Sequence, residues 1–104
     1  MADNQSEGGT KVASRTKHEL KEPSLYRVIL VNDDYTTMDF VVAVLENIFR
    51  RTPAEAAQIM LSVHNRGQGV AGIYAKEIAE AKVEQVHQKA RASGYPLRCV
   101  MEKQ

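Results

Sequence analysis

Val31-Asn32-Asp33-Asp34-Tyr35-Thr36 is the stretch on which the fold turns. Upstream of it, Tyr26 to Val31 is apolar except for Arg27 and rich in β-branched residues, so Leu25 to Val31 reads as a strand. Downstream, a helix starts at Thr36/Thr37. Apolar residues at 38, 41, 42, 44, 45, 48 and 49 keep helical spacing from Met38 to Phe49. Asn32-Asp33-Asp34 is therefore a strand-to-helix turn, and Asn and Asp suit tight turns and helix starts. Turn chemistry is a sufficient reason for these residues. The same corner is also a compact set of hydrogen-bond acceptors. It suits a metal ion, a Lys or Arg head group, or a peptide's α-ammonium group.

The pattern continues outward from that turn. Thr52-Pro53-Ala54-Glu55 reads as a helix start, with Thr as cap, Pro first and Glu third in a capping box. The helix that follows carries Ala56, Ile59, Met60 and Val63 on one side and stops near Asn65-Arg66-Gly67, where Gly can take a left-handed cap. Gly69 to Tyr74 reads as a second strand. Lys76 to Ala92 is an amphipathic helix with Ile78, Ala79, Val83, Val86 and Ala90 on one face, ended by Gly94 and Pro96. Leu97 to Met101 is the third strand. The order β-α-α-β-α-β predicts a small α+β domain of two layers, a three-stranded antiparallel sheet packed against three helices. It spans residues 23–104. Residues 1–22 hold little to bury and read as a flexible extension.

Bulk composition narrows the function. A net charge of +1 gives no electrostatic basis for binding nucleic acid or an anionic membrane. No apolar run approaches the roughly 18 residues that span a bilayer, and no secretory signal is visible in the polar first 22 residues. Cys99 is the single cysteine, so an intrachain disulfide is impossible; this fits a reducing cytoplasm.

Catalytic patterns are missing. No nucleophile elbow, phosphate loop, zinc spacing or Cys–His pair appears. His18 falls in the extension and His87 among polar residues of the long helix. His64 ends the second helix, in Met60-Leu61-Ser62-Val63-His64, where a capping role and a ligand role are both open. Cys99 reads as a strand-core residue. Met38 and Met60 fit helix-core positions, although Met is also adaptable at binding surfaces.

A resemblance then becomes specific. Tyr26-Arg27-Val28-Ile29-Leu30-Val31-Asn32-Asp33-Asp34-Tyr35-Thr36 followed by Met38-Asp39-Phe40-Val41 resembles the signature of the ClpS adaptor family. Met60 to His64, Gly72-Ile73-Tyr74, Glu77 to Val83 and Pro96 to Lys103 match further blocks in the same order, from about Pro23 to the C-terminus.

The resemblance implies an adaptor and not an enzyme: no catalytic residue, metal or cofactor. It implies binding of N-degron substrates that begin with Leu, Phe, Tyr or Trp and their delivery to the N-terminal domain of the ClpA unfoldase of the ClpAP protease. It further implies a cytoplasmic monomer that engages neither nucleic acid nor membrane. By the same resemblance Asn32, Asp33, Asp34 and His64 bind the α-amino group. Thr36, Met38, Val41, Met60, Val63 and Leu97 form the pocket for the first side chain, and Glu77 and Lys82 contact ClpA. Read without the resemblance, Glu77 and Lys82 are an ordinary solvated face.

Two positions depart from the family pattern. Thr37 stands where a first-turn Pro is usual, which would loosen the pocket edge. Ala75 stands where a Thr commonly caps the long helix, at a cost of about 1 kcal/mol. A competing reading is a non-degradative interaction module on a scaffold like the C-terminal domain of the ribosomal stalk protein. A third is a small metal-dependent enzyme using Asp33 and Asp34.

Overall fold

The computed structural model describes residues 23–104; the extension expected over residues 1–22 lies outside the described residues. The chain runs β1 (Leu25–Val31), α1 (Met38–Asn47), α2 (Pro53–Arg66), β2 (Gln68–Ala75), α3 (Lys76–Ser93) and β3 (Arg98–Lys103). This is the α+β order read from the sequence, with element ends moved by one or two residues. The sheet order is β2-β1-β3 and both pairings are antiparallel.

Alternation along β1 divides the two faces. Val28 and Leu30 point into the core with Val44, Leu45, Val63, Ala79 and Val86 from the helices. Ile29 turns to the opposite face, in register between Val70 and Val100. Burying each such Val or Leu side chain contributes about 1.5–3 kcal/mol, which is what holds the helices on one side of the sheet. The register of β1 against β2 shifts between Val28 and Ile29. Val28 opposes Gly72 and Ile29 opposes Val70, so Ala71 is the extra residue of a bulge. Its carbonyl accepts from Arg51 Nε at 2.8 Å.

The helix starts show how local chemistry sets the boundaries. Thr52 Oγ1 accepts from Glu55 N at 3.2 Å, and Glu55 Oε1 accepts from Thr52 N at 3.0 Å. This is the capping box expected from the sequence. α2 ends at Gly67 with φ +91°, a left-handed position open to glycine at little cost. Gly69 is needed for a different reason. A Cβ there would lie 2.9 Å from Val63 Cγ2 and 3.0 Å from Ile59 O, so its absence lets α2 lie directly on β2.

Three sequence expectations are corrected. Ile78 does not join the buried face of α3 but is 51% exposed, whereas its neighbour Ala79 is fully buried in the core. Lys82 is not a solvated residue. Its Nζ donates to Ile48 O at 2.7 Å and lies 5.6 Å from the Tyr74 ring centroid and 6.0 Å from that of Phe49. It closes the C-terminal end of α1, where carbonyls lack helical partners. His87 is not simply among polar residues, because its Nε2 accepts from Cys99 N at 3.1 Å and ties α3 to β3.

Candidate functional site

The turn after β1 is built by Asp33. Its Oδ1 accepts from Tyr35 N at 2.8 Å and from Thr36 N at 2.7 Å, and its Oδ2 accepts from the Thr36 hydroxyl at 2.7 Å. Partial burial raises the Asp33 carboxyl, but these three donated bonds outweigh it and bring the pKa below its ordinary value. Thr37 then caps α1, its Oγ1 accepting from Phe40 N at 3.1 Å. Thr37 is thus the N-cap and not the first helical residue. The expected loosening at this position is offset by a capping bond that proline could not supply.

The turn is fixed to the end of α2 by Asn32 N, which donates to Gly67 O at 2.9 Å. That bond continues the β1–β2 ladder, in which Val31 opposes Gln68, and the pairing brings the acceptors of the turn to the end of the helix that carries Met60, Val63 and His64. Between the turn, α1 and α2 lies a cavity of about 430 Å³. It is lined by Asn32, Asp33, Asp34, Tyr35, Thr36, Thr37, Met38, Val41, Met60, Val63 and His64. Val41 and Val63 are buried and form its floor, while Met38, 45% exposed, stands at its mouth. Asn32, Asp34 and His64 are exposed, and their side chains make no hydrogen bond to another described residue. The arrangement is a hollow with an apolar floor, roomy enough to take a bulky side chain, with uncommitted acceptors on its rim.

The structure therefore gathers nine of the ten residues expected for the two-part site around one cavity. Leu97 stays apart: it is 3% exposed, sits within the buried core and does not line the cavity. Tyr35 lines the cavity without having been singled out for it, and Thr37, expected only at the pocket edge, lines it too. The available signal was their place in the turn, beside residues that were singled out. Glu77 is exposed on α3. Among the described residues no group of three or more His, Cys, Asp or Glu side chains could hold a metal ion. Cys99 is buried and its thiol is pushed up to about 12 by that burial, so it offers no thiolate near neutral pH. No helix among the described residues is long and apolar enough to cross a membrane.

Comparison with known proteins places this geometry among relatives. Residues 21–100 match the family model described as "ATP-dependent Clp protease adaptor protein ClpS". The ATP-dependent Clp protease adapter protein ClpS of Maricaulis maris is 55% identical over 98 residues, covering 94% of this chain and 90% of the relative. That of Oleidesulfovibrio alaskensis is 62% identical over 86 residues, covering 83% of each chain. Among solved structures, Agrobacterium tumefaciens ClpS2 bound to L-phenylalaninamide matches with a TM-score of 0.77 at 34% identity, covering 80% of this chain and all of that one.

Proposed function

The chain belongs to the ClpS family of ATP-dependent Clp protease adaptor proteins, and from that premise we propose that it captures N-degron substrates and delivers them to the ClpA unfoldase of ClpAP. It reads two features together, a free α-amino group and a bulky first side chain of Leu, Phe, Tyr or Trp. The observation that carries this reading is the set of uncommitted acceptors, Asn32, Asp34 and His64, on the rim of a cavity with an apolar floor. ClpS2 of Agrobacterium tumefaciens, solved with L-phenylalaninamide, supports it, because that ligand has both features.

The chemistry follows from the groups involved. An α-ammonium has three donors. The Asn32 carbonyl oxygen, the Asp34 carboxylate and one ring nitrogen of His64 accept them. An internal peptide bond offers one donor and no charge, so it leaves two acceptors unpaired. Once a bound ligand shields them from water, each unpaired polar group costs about 1–3 kcal/mol, which makes the end of a chain the favoured ligand. The first side chain enters between Met38, Val41, Met60 and Val63 and gains about 1.5–3 kcal/mol by burial. Asp33 acts behind this set by holding the turn. No bond is made or broken, so the protein works as a binding adaptor without cofactor.

Delivery uses a different face. Glu77, exposed near the start of α3, is free to meet ClpA. Lys82 keeps ammonium donors beyond the one given to Ile48 O and contributes beside it. The deciding experiment is fluorescence anisotropy with Leu- and Phe-initiated peptides, free or acetylated at the N-terminus. Acetylation is expected to lower affinity at least tenfold, about 1.4 kcal/mol. Equal binding of both forms would rule out reading of the amino group.

A further inference from the structure

Thr37 is the part of the cavity wall whose hydrogen-bonding capacity is half used. A threonine hydroxyl has one proton to donate and two lone pairs. Thr37 Oγ1 accepts from Phe40 N, which occupies a lone pair and leaves the proton free to point away from the helix. Thr36 differs, because its hydroxyl proton is already given to Asp33 Oδ2. The two also differ in depth: Thr36 is half-buried and Thr37 exposed, so Thr37 stands at the mouth. The backbone at Thr37, with φ −74° and ψ 153°, is one that proline also adopts. What threonine brings to this position is therefore its hydroxyl.

The cavity rim thus carries acceptors at Asn32, Asp34 and His64 and an uncommitted donor at Thr37. The start of a peptide has the matching polarity, with donors at its ammonium and carbonyl acceptors following. On the reading of the site given above, we propose that the Thr37 hydroxyl donates to the main-chain carbonyl of the substrate's second residue. The first side chain occupies the cavity, so a donor at the mouth meets the chain as it leaves. Thr37 then adds a contact that depends on the main chain and not on the identity of the second side chain. It favours polypeptides over single amino-acid derivatives.

The test pairs two ligands that share the ammonium and the benzyl side chain. Phenylalanine N-methylamide has no second carbonyl; phenylalanyl-glycinamide has one. Titration calorimetry compares wild type with Thr37→Ser, Thr37→Val and Thr37→Pro. The Val and Pro variants are expected to lose roughly three- to tenfold more affinity for phenylalanyl-glycinamide than for the N-methylamide, the worth of one neutral hydrogen bond. Thr37→Ser, which keeps the hydroxyl, should hold both affinities. Loss of the helix cap acts on both ligands alike, so an equal loss for both would reduce Thr37 to a cap and overturn the proposal. No loss for either would overturn it as well. Failure of wild type to bind either ligand would instead overturn the reading of the cavity itself, and the role of Thr37 with it.

Discussion

Two corners of this domain set polar and charged side chains beside apolar surface, and they use them in opposite ways. At the cavity, Asn32, Asp34 and His64 spend no hydrogen bond on another described residue. At the far end of α1, Lys82 and Arg51 spend theirs inward, on Ile48 O and Ala71 O. The aromatic rings of Phe49 and Tyr74 lie under the Lys82 ammonium. Burial raises the Tyr74 hydroxyl, and nearby Arg51 works against that rise. The difference teaches a rule of reading. Polar groups satisfied within the chain are holding it together, whereas polar groups gathered at a hollow and left open are available to something outside it. Asp33 shows how close the two uses can lie, since it borders the cavity and yet commits both carboxylate oxygens to the turn.

Mutation can break this division. Lys82→Met should cost about 2 kcal/mol of stability, from one charged hydrogen bond and two ring contacts, and leave peptide affinity within about twofold. Urea melts with parallel anisotropy titrations check it, and a loss of peptide binding without a loss of stability would dissolve the contrast. His64→Ala should do the reverse, lowering affinity about tenfold, or 1.4 kcal/mol, with the unfolding midpoint unmoved. Equal affinity of wild type and His64→Ala would remove His64 from the amine contact.

Asp33→Asn tests the residue that stands between the two uses and should cost about 1 kcal/mol near neutral pH. Folding lowers the Asp33 pKa, so the carboxylate contributes in full above its ordinary value of 3.8 and less as pH falls through the lower folded value. The stability gap between wild type and variant should therefore close in that acid range; a gap independent of pH would mean the turn does not need the charge. The smallest effect is expected at Ala75, which caps α3 without a side-chain hydrogen bond. Ala75→Ser should raise stability by about 0.5–1 kcal/mol in thermal melts.

Much of the fold was legible because it rests on periodicity and on turn residues with single uses. The β-branched apolar run before Asn32 and the Thr52 capping box each point to one structure. The left-handed residue after α1 had no such mark. Arg50 takes φ +56° there without being glycine, held by Arg51 N donating to Leu45 O at 3.1 Å. Lys82 and His87 were illegible for another reason. Their partners, Ile48 O and Cys99 N, are main-chain groups distant in sequence, and no local pattern announces a long-range hydrogen bond. Leu97, expected in the pocket by resemblance, lies just before β3 and is 3% exposed within the core. Of the cavity, the acceptor turn was readable as chemistry, whereas its closeness to His64 depends on the β1–β2 pairing, continued by the bond from Asn32 N to Gly67 O, and needed the fold.

The side-chain bonds that meet β2 and β3 have one more consequence. These are the two outer strands of the sheet, and an outer strand offers main-chain groups to any extended polypeptide, whatever its sequence. Ser62 Oγ donates to Gln68 O at 3.0 Å, Arg51 Nε donates to Ala71 O, and His87 Nε2 accepts from Cys99 N. Each plug removes a rung from the ladder that an added strand would build. A domain guarded in this way offers an extended chain few rungs to grip along its length, which suits the proposed engagement by the chain's end.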